Sequence, residues 1–202
     1  MSTTVDFIFD FGSPNAYFAY KALPPIVERA GAELNLVPCL LGGVFKLTGN
    51  QSPLMAFADV KGKLAYDQLE MQRFIKKHHL SSFQFNPHFP VNTLLMMRGA
   101  VAARMDGVLP DYVRAGFAHM WEDGLKMDDP SVFAAAMTRA GLDGDALLAR
   151  TQDPAVKATL AEETSAVVER GVFGVPTVFV GEEMFFGKER LPQIAEELSA
   201  RA

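Results

Sequence analysis

Residues 172–191, VFGVPTVFVGEEMFFGKERL, decide the fold class of this chain. The apolar run Val178–Val180 and the segment Glu183–Phe186 predict two short strands joined by a tight turn. Pro176 stands just before the first strand, where a proline is normally restricted to first or edge positions because it lacks a backbone donor. A cis bond between Val175 and Pro176 would explain it, because it exposes the Val175 backbone to an extended peptide. An ordinary trans proline at a strand start is the alternative.

The N-terminal segment predicts a strand that leads into a helix. Residues Val5–Phe11 are mostly apolar, aromatic and β-branched, which is typical of a strand. Ser13 suits the N-cap of a helix and Pro14 its first position, so we expect a helix that runs to about Gly31. A strand, a helix that starts near residue 13 and a proline followed by a C-terminal hairpin form the layout of a thioredoxin-type α/β domain.

Cysteine usage separates the chain from dithiol oxidoreductases. Redox proteins with this layout hold Cys-x-x-Cys at the start of the first helix, where this chain has Ser13-Pro14-Asn15-Ala16. The one cysteine, Cys39, lies in the apolar run Leu34–Leu41, which predicts a second strand, and we interpret it as a small buried hydrophobe. One thiol cannot form an internal disulfide, so thiol chemistry here requires a thiol brought by a ligand.

Ser13 has the properties that such a ligand thiol needs. It offers a hydroxyl donor, free backbone N–H groups and the positive end of a helix, all of which favour a thiolate. A plain helix cap is the alternative interpretation of Ser13.

The middle of the chain predicts a helical insertion, because helical spacing of apolar residues replaces strand patterns there. The predicted helices of this region and its C-terminal border are Lys63–Leu80, Asn92–Gly107, Pro110–Trp121, Pro130–Ala140, Asp143–Ala149 and Asp153 to about Arg170. We therefore expect a thioredoxin-like domain formed by residues 1–50 and 154–202, with an inserted all-α domain at residues 51–153.

Composition excludes several classes of partner. The formal net charge of −5 and the absence of a long basic run give no surface for nucleic acid or anionic membranes. No apolar run is long enough to span a membrane, and no basic segment followed by an apolar one opens the sequence; with a single cysteine, this predicts a cytoplasmic location. The histidines and the lone cysteine lack the spacing of a metal site, so we expect no metal.

Five segments together resemble the family of bacterial 2-hydroxychromene-2-carboxylate isomerases and, more distantly, the kappa-class glutathione transferases. These segments are Phe9–Pro14, Gly49-Asn50, Lys63–Tyr66, Phe173–Thr177 and Phe186–Leu191. The resemblance runs from end to end and implies a DsbA-like thioredoxin fold with the same helical insertion. It also implies glutathione as the cofactor, a small aromatic substrate and a homodimer.

The resemblance assigns roles in glutathione binding to individual residues. It implies that Ser13 hydrogen-bonds the glutathione sulfur as the catalytic residue. Val175, held by a cis bond to Pro176, would pair with the cysteinyl backbone of the tripeptide. Asn50 and Lys63 would bind the tripeptide from the side of the insertion.

Two places depart from the family pattern. Relatives carry Ser-Asp or Asn-Asp at the γ-glutamyl end of glutathione, where this chain has Lys188 and Glu189. Glu189 keeps the negative charge that the glutamyl ammonium needs, whereas Lys188 either pairs with the glutamyl carboxylate or points to solvent. Gly12 stands where the isomerases have a larger apolar residue, so we expect a different substrate pocket.

The implied reaction is isomerisation of an unsaturated aromatic carboxylate. The family's substrate is a cyclic hemiketal carboxylate that is opened and isomerised to a trans-benzylidene pyruvate. Addition of a glutathione thiolate to the conjugated carbon makes the double bond single, permits rotation and is then reversed. A kappa-type transferase or peroxidase that consumes glutathione is one alternative, and a non-catalytic thioredoxin-fold binding module is another. The natural substrate could also be another unsaturated aromatic compound or a polyketide.

Overall fold

A four-stranded mixed sheet forms the frame of the protein, whose computed structural model describes residues 3–201. The strands are β1 (Thr4–Phe9), β2 (Glu33–Pro38), β3 (Thr177–Val180) and β4 (Glu183–Phe186). They lie in the order β2-β1-β3-β4, with β1 parallel to β2 and antiparallel to β3, and with β3 and β4 forming a hairpin. The two strands predicted near the C-terminus are thus confirmed.

The pairing register determines where the candidate site lies. Because β1 and β2 are parallel, both end at the same edge of the sheet. Ile8, near the end of β1, is opposite Thr177, the first residue of β3, so β3 begins at this same edge. Ser13, which follows β1, and Val175, which precedes β3, therefore meet there although they are far apart in the sequence.

Helices occupy most of the remaining chain. Within residues 3–201 they are α1 (Pro14–Ala22), α2 (Pro24–Arg29), α3 (Leu41–Thr48), α4 (Pro53–Ala56), α5 (Lys63–Lys77), α6 (Leu94–Met105), α7 (Leu109–Trp121), α8 (Pro130–Arg139), α9 (Gly144–Arg150), α10 (Pro154–Glu169) and α11 (Leu191–Ala200), with a 3₁₀ turn at Lys188–Arg190. The six helices predicted between residues 63 and 170 are confirmed, with ends that differ by up to three residues. None of the helices in this part of the chain is long and apolar enough to cross a membrane.

Two predictions about the first 50 residues were wrong. The single helix expected to run to Gly31 is divided at Leu23, and α2 starts at Pro24 because a proline has no N–H with which to continue the ladder of α1. The second strand ends at Pro38 rather than Leu41, so Cys39 lies just beyond it. The segment that follows forms α3, a helix that its sequence pattern does not predict.

One apolar cluster joins the sheet to the inserted helices. The rings of Phe9 and Phe11 approach the ring of Phe117 on α7, with centroids 5.7 and 4.9 Å apart. Trp121, at the end of α7, donates its indole N–H to the carbonyl oxygen of Phe11 at 2.7 Å. The strand that leads to Ser13 is therefore packed directly against the insertion. The division into residues 1–50 with 154–202 and residues 51–153 stays a prediction, and positions 1, 2 and 202 lie outside the described residues.

Candidate functional site

A buried carboxylate shapes the turn that presents Ser13. The Asp10 side chain is fully buried, and its two oxygens accept hydrogen bonds from the N–H groups of Gly12 and Leu41, each at 2.8 Å. The N–H of Ser13 donates to the Asp10 carbonyl oxygen at 3.2 Å. Burial raises the pKa of the Asp10 carboxyl, and the two N–H donors oppose part of this rise. Asp10 thus connects the turn after β1 to the first residue of α3.

The raised pKa of Asp10 predicts how stability depends on pH. Because burial raises this pKa above its ordinary value of 3.8, the folded protein holds the proton more tightly than the unfolded chain. The contribution of this carboxyl to the unfolding free energy is complete below its pKa in the unfolded chain. It is lost as the pH rises through its pKa in the folded protein. We therefore expect wild type to lose stability relative to Asp10→Asn as the pH rises from about 4 to 8. The measured quantity is the difference between the two unfolding free energies. Denaturant titrations of both proteins across this range measure it, and parallel curves would contradict the prediction.

Ser13 caps α1 and faces the backbone of Val175. Its Oγ accepts from the Ala16 N–H at 3.2 Å, as an N-cap does, and donates to the Val175 carbonyl oxygen at 3.3 Å. The Val175-Pro176 bond is cis, as predicted. Ser13 is only 7% exposed and stands at the positive end of a nine-residue helix. A thiolate beside this hydroxyl would be stabilised by both the donor and the helix end.

Asn50 reaches the same place from the end of α3. Its Nδ2 donates to the carbonyl oxygen of Phe173 at 2.8 Å, two residues before Val175. Hydrogen bonds thus connect both Ser13 and Asn50 to the segment that ends in the cis-proline. Four of the predicted site residues, Ser13, Asn50, Val175 and Pro176, are brought together in this way.

Lys63 lies apart from this hydrogen-bonded group. It is the first residue of α5, where it forms an ion pair with Asp67, and its Nζ is 5.0 Å from the centre of the Phe57 ring. Within residues 3–201 no hydrogen bond or ion pair joins it to the other predicted site residues. Its role in glutathione binding therefore stays a prediction.

Lys188 is buried, so the alternative in which it points to solvent is wrong. It is 4% exposed, its ammonium forms an ion pair with Glu189, and its Nζ lies 5.6 Å from the centre of the Phe74 ring on α5. The side chain of Glu189 is 57% exposed, so this carboxylate faces solvent. The two residues present a buried cation and an accessible anion side by side.

Cys39 is unsuited to nucleophilic chemistry. Its side chain is fully buried, and this burial raises the pKa of the thiol well above its ordinary value, with the nearby Asp10 carboxylate acting in the same direction. Its interpretation as a small buried hydrophobe is confirmed. A thiolate at Ser13 therefore cannot be supplied by this cysteine.

Two residues that hold the Ser13 turn in place, Asp10 and Trp121, had no predicted role. Asp10 binds the turn through Gly12, and Trp121 binds it through the Phe11 carbonyl. The signal for Asp10 was present, because an acidic residue at the end of an apolar strand, two residues before Gly12, is unusual. Nothing local in the sequence indicates the role of Trp121, since its partner is 110 residues away.

At one edge of the mixed sheet, a helix N-terminus faces a cis-proline loop, and a serine stands in place of the dithiol. These features define a thioredoxin-fold protein without its own redox pair. The family model of the DSBA-like thioredoxin domain matches residues 4–199. The chain belongs to this DsbA-like family, and the predicted fold class is confirmed.

The most informative relatives agree with the resemblance drawn from the sequence. A 2-hydroxychromene-2-carboxylate isomerase of Pseudomonas sp. (strain C18) is 33% identical over 189 residues, which cover 93% of this chain and 86% of the relative. Glutathione S-transferase kappa 1 of Homo sapiens is 26% identical, with 98% and 92% covered. The solved structure of a 2-hydroxychromene-2-carboxylate isomerase superposes with a TM-score of 0.84 at 29% identity and covers 98% of this chain and 95% of that structure.

Proposed function

We propose that this chain is a glutathione-dependent isomerase of 2-hydroxychromene-2-carboxylate or a similar unsaturated aromatic carboxylate. The observation that carries the proposal is similarity over 93% of the chain to proteins named as this isomerase. The hydrogen bond from Ser13 to Val175 and the burial of Cys39 support it, because they fit a thiol that arrives with a ligand. A cytoplasmic location belongs to the same proposal.

The residues around Ser13 fit the cysteinyl part of glutathione. When bound, glutathione would supply the nucleophilic thiol that the chain itself lacks. The Ser13 hydroxyl, whose bond to Val175 is long at 3.3 Å, can rotate to donate to the sulfur. The Val175 carbonyl is then available to accept from the cysteinyl N–H, in the manner of a paired strand. Ser13 keeps its cap on α1 throughout, since it uses a lone pair for that bond.

The ion pair of Lys188 and Glu189 fits the γ-glutamyl end. This end carries an ammonium and a carboxylate on one carbon, so it complements an adjacent anion and cation. Glu189 would accept from the ammonium and Lys188 would donate to the carboxylate, which turns one ion pair into a four-charge cluster. The burial of Lys188 favours this role, because a ligand carboxylate adds a partner to a desolvated ammonium.

The kappa-class alternative differs in the fate of glutathione. Similarity to human glutathione S-transferase kappa 1 supports a transferase or peroxidase that consumes one or more glutathione molecules per turnover. A non-catalytic binding module is the remaining alternative.

One assay separates these functions. The purified protein is mixed with excess chromene carboxylate and glutathione at a small fraction of the substrate concentration, and both are followed over time. An isomerase converts all the substrate while glutathione stays constant, because the thiol is released unchanged. Stoichiometric loss of glutathione would favour the transferase, and no conversion would favour the binding module. A control tripeptide with aminobutyrate in place of cysteine should give no turnover.

We also propose that the protein is a two-fold homodimer. Several large apolar side chains between residues 47 and 69 are exposed, which is unusual for a surface that stays in water. These side chains are Leu47, Leu54, Met55, Phe57, Val60, Tyr66 and Leu69. We expect sedimentation equilibrium to give twice the chain mass of 22.1 kDa, and a species of 22.1 kDa at micromolar concentration would contradict this.

A further inference from the structure

A groove of about 310 Å³ lies between α3, α6 and α10. Most of its wall is apolar and includes the side chains of Leu40, Leu94 and Leu160. Three cationic side chains also line it, namely Lys46, Arg98 and Lys157. No aspartate or glutamate is among the described residues of the lining. The groove thus combines an apolar surface with an excess of positive charge, in a protein whose formal net charge is −5.

The cations of the groove lack anionic partners. Within residues 3–201 none of the three forms an ion pair, and Lys157 donates to the neutral side chain of Gln152 at 3.1 Å. The Nε of Arg98 is buried and has no hydrogen-bond partner. A buried donor without a partner is costly, so a native structure that keeps one calls for an explanation. A carboxylate bound in the groove would give the Arg98 guanidinium, which lines it, an anionic partner.

Two lining residues of the groove adjoin, along the chain, residues that contact the turn carrying Ser13. Leu94 directly follows Thr93, whose Cγ2 would be 3.2 Å from a Cβ placed on Gly12. Leu40 directly precedes Leu41, whose N–H is bound by Asp10. Two residues of the lining are therefore chain neighbours of residues in contact with the turn. The groove is thus connected to the turn through two short steps along the chain.

We propose that this groove binds an aromatic carboxylate, with the ring on the leucine side chains and the carboxylate on Arg98. Arginine suits this role because its planar guanidinium binds a carboxylate through two parallel hydrogen bonds. Lys46 and Lys157 add positive charge on either side. We assign the groove to the acid substrate of the isomerase reaction, and in this respect the inference rests on the proposed function.

Binding of a simple probe tests the groove without catalysis. The whole protein is titrated with 2-naphthoate and with its neutral analogue 2-naphthamide in a calorimeter. Arg98→Gln is expected to weaken naphthoate binding about tenfold, because a charge-assisted hydrogen bond is lost, and to leave naphthamide binding unchanged. Arg114→Gln, which removes an exposed arginine of α7 paired with Asp111, is the matched control and should change neither. Equal naphthoate affinity in wild type and Arg98→Gln would overturn the proposal.

A second variant tests the groove if the first one does not fold. If Arg98→Gln does not fold, the half-buried Lys157 can be replaced instead, since within residues 3–201 its side chain is bound only to Gln152. Lys157→Gln is expected to weaken naphthoate binding about threefold, because a point charge near the carboxylate contributes less than a bidentate guanidinium. Unchanged naphthoate affinity in this variant would count against the groove in the same way.

Steady-state kinetics distinguishes failure of the groove from failure of the proposed function. If the groove holds the substrate acid, naphthoate competes with the chromene carboxylate, and Arg98→Gln raises KM about tenfold with kcat unchanged. Isomerase activity with an unchanged KM in Arg98→Gln would refute the groove and leave the proposed function in place. Naphthoate binding through Arg98 in a protein without isomerase activity would refute the proposed function and support the groove as a carboxylate site.

Discussion

Replacing Ser13 by alanine is expected to raise the pKa of the bound glutathione thiol by about one to two units. The Ser13 hydroxyl caps the N-terminus of α1 and donates to the Val175 carbonyl oxygen. Its loss removes one charge-assisted hydrogen bond to the thiolate, worth roughly 1.5–3 kcal/mol. Since about 1.4 kcal/mol corresponds to a factor of ten, activity near neutral pH should fall roughly 10- to 100-fold. Glutathione affinity should change little, because Val175 and Glu189 are retained.

The measurement is a thiolate absorbance titration with glutathione bound, together with a pH–rate profile for each variant. Ser13→Gly is the sharper control, because glycine is nearly as good an N-cap as serine, within a few tenths of a kcal/mol, yet carries no hydroxyl. Both variants should show the same raised thiol pKa, although only alanine destabilises α1. Ser13→Cys should not restore activity, because a protein thiolate there attacks oxidised glutathione, which gives a mixed disulfide and releases one glutathione thiolate. An unchanged thiol pKa and rate in both would reduce Ser13 to a helix cap.

Replacing Lys188 by methionine is expected to weaken glutathione binding by roughly 10- to 100-fold. Methionine preserves the length of the side chain and its contact with the Phe74 ring, so the change removes the ammonium and little else. The lost interaction is a charged hydrogen bond to the γ-glutamyl carboxylate from a side chain that is 4% exposed. Glu189→Gln should have a smaller effect, because its carboxylate is largely solvated and its ion pairs are screened.

Calorimetric titration with glutathione measures both effects. Lys77→Met, which removes an exposed lysine from the last turn of α5, is the matched control and should bind as wild type does. A glutathione analogue without the α-amino group should bind more weakly to wild type, and it should not be weakened further by Glu189→Gln. Wild-type affinity in Lys188→Met would show that this lysine only neutralises Glu189.

The elements that meet at this edge of the sheet could be predicted from the sequence, because the residues that indicate each of them are close together in the chain. The alternation in the first strand, the turn of the C-terminal hairpin and the cap at Ser13 each depend on residues within a few positions of one another. The helices of the insertion were found for the same reason, since caps such as Asp129 stand next to the apolar pattern that they begin.

Helix α3 could not be predicted because contacts distant in sequence stabilise it. Two glycines lower the helical propensity of this segment, and Leu40 offers no side-chain cap. Asp10 binds the first N–H of the helix, and Gly43 lies where a Cβ would be 2.9 Å from Thr164 on α10. The glycine that disfavours a helix in isolation is therefore the residue that lets α3 pack against α10.

The burial of Lys188 could not be predicted from its neighbours in the sequence either. A lysine after a glycine turn is normally solvated, and nothing near it in the sequence indicates burial. The ring that covers it, Phe74, belongs to the insertion and lies more than 100 positions earlier in the chain. Roles that depend on the packing of the insertion against the hairpin become visible only in three dimensions.

The indole of Trp121 provides an intrinsic fluorescence signal for the candidate site. It is the single tryptophan of the chain, it is fully buried, and its N–H is bound to the carbonyl two residues before Ser13. Its fluorescence therefore arises from one position and is sensitive to the hydrogen bond that holds the turn. A ligand that shifts this turn alters the emission, so occupancy can be followed in the unlabelled protein at concentrations far below those that calorimetry requires.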